Sequence, residues 1–373
     1  MTTQSALTEA LESAAAAALA GTGSSPVSAT PGAVALLAHE GQVIARGATG
    51  SALAFDADAA VLPLAQREPV TPEHVWDIAS ITKVVTTLAA LVQADRGAID
   101  LDAPVVRYLP AFGADEGVRG QVLVRHLLTH TAGLPPVVDL MLDGGASAPR
   151  EAHVARVLAS PVVGTPGQVH VYSCVGYLVL GLVLESVTSS ALPDLVAETV
   201  TGPLGMAATG YVPPAGRPVV PTEVQHSPER GLVRGEVHDE TAWLLGGAGN
   251  AGLFSDADDL LRLGEEIRTG SAGLLSPTTA ALMRTGVLPS DQVDALGYDQ
   301  AIGLRVGQRM LTGSDDPAAI GHTGFTGTSL VVDTRRDLVI VLLTNRVHPR
   351  RELFDVIPLR MRVAQIARDA VDR

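Results

Sequence analysis

Residues 76–83 read Trp-Asp-Ile-Ala-Ser-Ile-Thr-Lys and place a hydroxyl, on Ser80, three positions before an amine, on Lys83. Apolar residues follow at helical spacing as far as Gly97, so we expect a helix to begin near Ser80. Side chains three positions apart on a helix share one face, with Cβ atoms about 5–6 Å apart. The spacing therefore predicts that the hydroxyl and the amine meet on the first turn of a helix.

This pair has the chemistry of an activated nucleophile. A serine hydroxyl attacks poorly until a base removes its proton. Lysine has an ordinary pKa of about 10.4, and burial or a nearby cation must lower it toward about 7–8 before it acts as that base. Lys83 is the only lysine among 26 basic residues, and arginine cannot replace it because a guanidinium stays protonated. We therefore expect a depressed pKa at Lys83, although biased codon usage with one chance lysine explains the count as well.

Two later segments carry groups suited to the same reaction. Residues 172–174 (Tyr-Ser-Cys) offer a phenol that, hydrogen-bonded to lysine, would relay a proton to the leaving group; taken alone, Tyr172 is equally a half-buried tyrosine at a helix start. Residues 322–324 (His-Thr-Gly) precede Phe325, and a glycine in a strand often marks a close approach of ligand to backbone. An edge strand there would offer N–H groups to a substrate carbonyl.

Composition limits the class of protein. The chain has 373 residues, 46% hydrophobic and 18% charged, which is typical of a globular protein with a sizeable core. A formal charge of −14 argues against nucleic acid as a partner. The N-terminus lacks the basic residues of a signal peptide, and the apolar run from Cys174 to Leu184 is too short to span a bilayer. We expect a cytoplasmic protein with no membrane partner; the sequence leaves its oligomeric state open.

The order of predicted elements indicates the fold class. We expect an N-terminal helix, a linker over residues 21–32, and a hairpin of strands 33–38 and 43–47. The middle of the chain reads as helix and loop, and the end returns to strand before a last helix. In the middle, the clearest predicted helices cover residues 125–131, 175–187 and 256–266, the last capped by Ser255. Towards the end we expect strands over 329–333 and 338–343 and a last helix over 351–370. This pattern predicts an α+β protein in which residues 1–70 and 295–373 form an antiparallel sheet flanked by the terminal helices. Residues 71–294 would form an inserted all-helical lobe, with the active site at the interface.

Three segments together resemble the serine β-lactamase and DD-peptidase superfamily. They are residues 76–83, residues 127–135 (Leu-Leu-Thr-His-Thr-Ala-Gly-Leu-Pro) and residues 246–255 (Gly-Gly-Ala-Gly-Asn-Ala-Gly-Leu-Phe-Ser). The likeness covers most of the chain and is closer to the class C-like branch, with its family VIII esterases, D-aminopeptidases and acyltransferases. It implies a β-lactamase/transpeptidase-like fold and a reaction that needs neither metal nor cofactor.

The resemblance also implies roles for particular residues. Ser80 would be the acylated nucleophile, and Lys83 and Tyr172 would share the acid and base work, with the first base left open between them. The backbone N–H groups of Ser80 and Phe325 would form the oxyanion hole. We also expect His322 to be one of the catalytic residues.

Two departures from the family pattern bear on the substrate. Cys174 stands where relatives usually have an asparagine that holds a substrate amide, and His322 stands where β-lactamases have a lysine. We expect Cys174, Thr323, Gly324 and Arg346 to contact a small-molecule acyl substrate, an ester or small amide in preference to a β-lactam.

Other functions remain open at this point. The same acyl-enzyme would serve a biosynthetic acyltransferase or a D-amino-acid peptidase or amidase, and a ligand-binding protein without catalysis would keep the fold. The polar run at residues 238–240 (His-Asp-Glu) fits a cleft lining and a loop support equally well.

Overall fold

A computed structural model of the chain describes residues 2–20, 26–113, 117–142, 145–270 and 272–372. The predicted linker lies partly outside these ranges, at residues 21–25. Within its described part the prediction is wrong at Val27–Ser28, because these residues form a short strand that pairs in parallel with Phe354–Asp355.

Helices occupy both ends of the chain and much of its middle. They are α1 (Thr3–Leu19), α2 (Thr82–Asp95), α3 (Val124–Leu128), α4 (Arg150–Leu158), α5 (Cys174–Thr188), α6 (Leu192–Val196), α7 (Glu240–Leu245), α8 (Ala257–Thr269), α9 (Pro277–Leu282), α10 (Ser290–Leu296), α11 (Arg309–Thr312) and α12 (Ile357–Val371).

The strands are β1 (Val27–Ser28), β2 (Gly32–His39), β3 (Gln42–Leu53), β4 (Glu68–Pro69), β5 (Trp76–Asp77), β6 (Val224–His226), β7 (Glu229–Leu232), β8 (Phe254–Ser255), β9 (Asp299–Gln300), β10 (Arg305–Val306), β11 (Ala319–Thr323), β12 (Ser329–Asp333), β13 (Leu338–Thr344) and β14 (Phe354–Asp355). Among the described residues, eight of them form one antiparallel sheet in the order β4-β3-β2-β13-β12-β11-β10-β9. Strands from the two ends of the chain meet where β13 pairs with β2, which confirms the predicted α+β class.

Side-chain alternation explains how the sheet is covered. Strand β2 is buried on both faces: Leu36 belongs to the core shared with α2, α5 and α8, whereas Leu37 belongs to a second core under α1 and α12. Successive strand residues point to opposite faces, so one apolar strand supplies both cores. The terminal helices therefore flank the sheet as predicted.

The first hairpin also follows from local sequence. Its turn residues Glu40 and Gly41 both have positive φ, 50° and 78°. This backbone is typical of the tight turns whose twist matches that of the two strands, and glycine adopts it at little cost.

Two element boundaries differ from the prediction. The last helix begins at Ile357, not residue 351, because residues 354–355 pair as strand β14 and Pro358 suits the first turn of a helix. Helix α8 is capped by Asp256, not Ser255: the Asp256 side chain accepts from the Asp259 N–H at 2.9 Å, while Ser255 pairs with Trp76 in a short strand.

The middle of the chain is mainly helical, with two short strand pairs, β5–β8 and β6–β7. Helix α8 comes from this region and packs on the sheet against β2, β12 and β13. The lobe boundaries at residues 70 and 295 stay a prediction.

Among the described residues, no single helix has the length and apolar character to cross a membrane. The segments Cys174–Thr188 and Leu192–Thr201 meet that criterion only when taken together, and they are bent by 82° where they join.

Asn345, which directly follows β13, connects this central strand to β2 and β3 through its side chain. Its side chain is 2% exposed; it accepts from the Gly32 N–H at 2.7 Å and donates to the carbonyls of Ser51 (3.1 Å) and Ala52 (2.9 Å). One amide thus holds three backbone groups of β2 and β3.

We predict that Asn345→Ala lowers the free energy of unfolding by about 3 kcal/mol, because it leaves several buried polar groups unpaired at a cost of about 1–3 kcal/mol each. Urea unfolding would show this as a lower midpoint with an unchanged slope. The control Gln42→Ala, on an exposed strand position, should stay within about 0.5 kcal/mol of wild type. Equal midpoints for Asn345→Ala and wild type would contradict this role.

Candidate active site

Ser80 and Lys83 lie where the chain enters α2. Ser80 is in a 3-10 turn over Ala79–Ile81, and Lys83 is on the first turn of α2. The Lys83 Nζ donates to Ser80 Oγ at 3.0 Å and to the Asn250 carbonyl at 2.8 Å. Lys83 is fully buried, with 0% of its surface exposed. The hydroxyl and amine therefore meet on one helical turn, as the spacing predicts.

The expected depression of the Lys83 pKa is wrong. Burial lowers this pKa, but attraction to the ionised forms of Cys174 and Tyr172, with a hydrogen bond to Tyr172, raises it above the ordinary value. The sequence placed Lys83 on the first turn of a helix but did not show that Cys174 and Tyr172 would face its amine. Lys83 is thus held as an ammonium ion at neutral pH.

Tyr172 lies beside this amine under a cluster of rings and cations. The Lys83 Nζ is 5.0 Å from the centre of the Tyr172 ring, and the Arg305 guanidinium is 5.1 Å from it. The imidazole of His130 packs against the same ring at 4.5 Å between centroids. The Tyr172 ring thus lies between two cationic side chains and the His130 imidazole.

The start of α5 positions Tyr172 and Cys174. Between them, Ser173 caps the helix: its Oγ accepts from the Gly176 N–H at 3.0 Å and donates to the Pro135 carbonyl at 2.6 Å. The Ser173 N–H donates to His130 Nδ1 at 3.1 Å. Cys174, the first residue of α5, brings its Sγ to 3.6 Å from Lys83 Nζ.

His130 contacts Tyr172 and Ser173, and sequence reasoning assigned it no role at the site. Burial lowers its pKa well below the ordinary value, and the Lys83 ammonium adds to this, so the ring is neutral. Its backbone has a positive φ of 57°, which costs energy in a residue with a side chain. The one sequence feature that pointed to His130 was its position in residues 127–135, which resemble a segment of the serine β-lactamase and DD-peptidase superfamily.

The end of β11 packs directly on the backbone before Ser80. The hydroxyl of Thr326 donates to the Asp77 carbonyl at 2.8 Å, and that of Thr328 donates to the Ile78 carbonyl at 3.1 Å. A Cβ on Gly324 would lie 2.5 Å from the Ile78 carbonyl oxygen, so only glycine allows this approach. Two hydroxyls thus join the segment that holds Phe325 to the segment that holds Ser80.

The two predicted oxyanion donors are open to a ligand. Among the described residues, neither the Ser80 N–H nor the Phe325 N–H donates to another protein group. Ala79, just before Ser80, has a positive φ of 47°, and its N–H donates to Asp77 Oδ1 at 2.8 Å. Strain of this kind is common where a structure fixes a nucleophile.

Strand β11 is not the edge strand that we expected, because β10 and β9 continue the sheet beyond it. However, β10 pairs only with Ile320 and Gly321, so the strand is unpaired on that side at His322 and Thr323. Because β10 is only two residues long, the backbone of β11 at His322 and Thr323 has no strand partner on that side, although β11 is an internal strand.

His322 does not reach the cavity beside Ser80. It is 1% exposed, its Nδ1 lies 2.8 Å from the Thr323 carbonyl, and its ring centre is 6.1 Å from that of Tyr172. Burial, with the nearby Arg305 and Lys83 cations, lowers its pKa well below the ordinary value, so it is neutral at pH 7. Contact between His322 and substrate therefore has no support in this arrangement.

A cavity of about 330 Å³ opens beside Ser80. Six predicted site residues line it, namely Ser80, Tyr172, Thr323, Gly324, Phe325 and Arg346, and three do not, namely Lys83, Cys174 and His322. Arg305, Arg360 and residues 355–357 complete the wall.

The cavity therefore carries three guanidinium groups against one carboxylate, that of Asp355. Arg360 donates to the carbonyls of Gly324 (3.2 Å) and Thr328 (3.1 Å), and burial lowers its pKa to about 9. Arg346 donates to the Phe325 carbonyl at 2.9 Å. The positive charge that a lysine supplies in β-lactamases at the position of His322 is thus supplied here by arginines that line the cavity. Sequence reasoning missed Arg305 and Arg360 because nothing in the sequence distinguishes these two from the other arginines among the 25 in the chain.

The sheet and its flanking helices are those of β-lactamase and transpeptidase-fold proteins. The chain matches the β-lactamase family model over residues 22–365. It therefore belongs to the β-lactamase family.

Individual relatives agree with this assignment. Proteins of Salmonella typhimurium and Salmonella newport named D-alanyl-D-alanine carboxypeptidase are 30% identical over 350 residues, covering 84% of this chain and 78% of theirs. The solved structure of EstCE1, a hydrolase with promiscuous acyltransferase activity, has a TM-score of 0.74 and 26% identity, covering 97% of this chain and 98% of that one. A class C β-lactamase variant has a TM-score of 0.69 at 17% identity, covering 91% and 92%, and shows the fold alone.

We predict that Lys83→Met slows reaction with an activated ester by about 10- to 100-fold, because it removes the charged hydrogen bond that holds Ser80 Oγ, and a hydrogen bond to a charged group is worth about 1.5–3 kcal/mol. Stability should not fall, because an apolar side chain of similar length replaces a buried charge. Stopped-flow acylation and thermal unfolding measure the two effects.

Arg96→Met, which removes an exposed cation at the far end of α2, is the control and should react at the wild-type rate. Full-rate acylation by folded Lys83→Met would contradict the role of the amine.

Proposed function

We propose that this protein is a serine hydrolase that forms an acyl-enzyme at Ser80 from an ester or small amide and releases the acyl group to water. The observation that carries the proposal is the 3.0 Å hydrogen bond between Lys83 Nζ and Ser80 Oγ at the start of α2. The unpaired N–H groups of Ser80 and Phe325 at the same cavity support it.

In the proposed acylation, Ser80 Oγ attacks the carbonyl carbon of the substrate. Negative charge then develops on the carbonyl oxygen, where the N–H groups of Ser80 and Phe325 would donate to it. Donors already held in place stabilise such charge without reorganisation, and each is worth about 100- to 1,000-fold in rate. Collapse of the intermediate breaks the bond to the alcohol or amine and leaves an ester on Ser80.

Proton transfer is assigned to Tyr172, with Lys83 as the fixed charge. Because Lys83 is held as an ammonium ion, it is suited to holding Ser80 Oγ and to stabilising an anionic phenol. Tyr172 would take the Ser80 proton and return it to the leaving group. In deacylation the same phenol would take a proton from water and return it to Ser80.

Ser80→Ala should abolish ester hydrolysis, because it removes the serine hydroxyl that the Lys83 amine holds at 3.0 Å. An activated ester assayed with and without an added primary alcohol measures both turnover and partition. We expect free acid as the main product from wild type. Mostly transferred product would instead favour the acyltransferase alternative, and wild-type turnover by Ser80→Ala would exclude an acyl-enzyme at this residue.

The three arginines favour a second candidate, a substrate that carries a carboxylate. Arg305, Arg346 and Arg360 line the cavity of a chain whose net charge is −14, and guanidinium groups pair well with carboxylates. A D-amino-acid peptidase that cleaves next to a free C-terminal carboxylate acts on such substrates, which is consistent with the names of the Salmonella relatives.

A matched pair of aryl esters, the monosuccinate and the butyrate, separates the two candidates. If a carboxylate is recognised, the succinate should have the higher kcat/KM, and Arg305→Gln should lower it by about 10- to 100-fold, the value of a charged hydrogen bond. The butyrate should respond little. Arg309→Gln, which removes an exposed cation four residues later, is the control. Equal loss on both esters would show that Arg305 acts on the reaction and not on the carboxylate.

A further inference from the structure

A buried charged cluster lies behind Phe325 and is not used in the mechanism above. It consists of Glu223, His238 and Arg351, and it decides between the two interpretations of residues 238–240. The side chains of Glu223 and His238 are only 8% and 5% exposed. A carboxylate this far from water is costly unless it is paired.

Glu223 is the centre of the cluster. Its Oε2 lies 2.9 Å from His238 Nε2 and 2.6 Å from Arg351 Nη2, and its Oε1 accepts from the Arg351 N–H at 3.1 Å. Burial alone would raise the pKa of this carboxyl, but the hydrogen bonds from His238 and Arg351 outweigh it and lower the pKa to about 2. Glu223 is therefore an ionised anchor for both partners.

The cluster holds the Phe325 ring. His238 stacks on it, with 5.7 Å between centroids and 22° between planes, and the guanidinium of Arg351 lies 5.4 Å from the ring centre. Arg346 covers the ring at 4.7 Å and donates to the Arg351 carbonyl. An aromatic side chain that is 47% exposed is thus fixed in one position.

The backbone of His238 ties the cluster to Ser80. Its N–H donates to Asp77 Oδ2 at 2.8 Å, and Asp77 Oδ1 accepts from the Ala79 N–H at 2.8 Å. Burial raises the pKa of the Asp77 carboxyl above its ordinary value, which marks how far it lies from water. One residue, His238, therefore contacts both segments that carry the proposed oxyanion donors: its ring meets Phe325, and its N–H reaches the turn before Ser80.

We propose that His238, anchored by Glu223, is a positioning residue that fixes the Phe325 N–H relative to the Ser80 N–H and so sets the geometry of the oxyanion hole. This rests on the proposed function, because it assumes that these two N–H groups receive the substrate carbonyl. His238 acts through Phe325 and contacts no reacting atom.

A positioning role makes a prediction that a purely structural role does not. Displacement of one donor weakens binding of the transition state and leaves ground-state binding nearly unchanged. We expect His238→Asn, which removes the stacked ring, to lower kcat by about 10- to 100-fold while KM changes less than about threefold. Affinity for a boronic acid that mimics the tetrahedral intermediate should fall by the same factor as kcat/KM.

Two further variants keep the test decisive. His238→Phe keeps a ring against Phe325 but loses the hydrogen bond to Glu223, so its kcat should lie between those of His238→Asn and wild type. Glu223→Gln weakens the anchor while keeping its shape, and it tests the role if His238→Asn does not fold. The control His226→Asn changes an exposed histidine of β6 and should behave as wild type.

The outcomes distinguish this inference from the proposed function. If wild type gives an acyl-enzyme but His238→Asn and Glu223→Gln keep wild-type kcat and boronate affinity, the positioning role is wrong. It is also wrong if stability falls while kcat/KM and boronate affinity of the folded fraction do not. If wild type itself gives no adduct at Ser80, the proposed function fails independently of these variants.

Discussion

The contact between the Lys83 amine and the Ser80 hydroxyl depends on burying an ammonium ion completely, and much of the surrounding structure meets that demand. A buried cation is tolerated only when its N–H groups are paired. The Ser80 hydroxyl and the Asn250 carbonyl accept from it, and the sulfur of Cys174 and the ring of Tyr172 lie on its other sides. Segments far apart in sequence therefore converge on one nitrogen atom.

The sheet gives this arrangement its rigidity. The turn after β11 is joined to the backbone before Ser80 by two threonine hydroxyls and by the close approach of Gly324. Strand β11 pairs with β12, and β12 pairs with β13. Asn345, just after β13, hydrogen-bonds to the backbone of β2 and β3. The positions of Ser80 and Phe325 are thus set by elements from both ends of the chain.

Local pattern and family resemblance predicted the features that depend on neighbouring residues. The α+β class, the paired strands 329–333 and 338–343, and the meeting of Ser80 with Lys83 all follow from spacing along the chain. Features set by tertiary contacts were missed or wrong. The pKa of Lys83 depends on Cys174 and Tyr172, the start of α12 depends on a distant strand partner, and Arg305 and Arg360 reach the cavity only through the fold.

The most direct test of the account uses the single lysine of the chain. Cleavage after Lys83 by a lysine-specific protease divides the protein into two fragments, residues 1–83 and 84–373. After reaction with a fluorophosphonate, mass spectrometry of the two fragments locates the covalent adduct. The account predicts one phosphonate on fragment 1–83, at Ser80, and none on the fragment that contains Tyr172 and Cys174. An adduct confined to fragment 84–373 would contradict it.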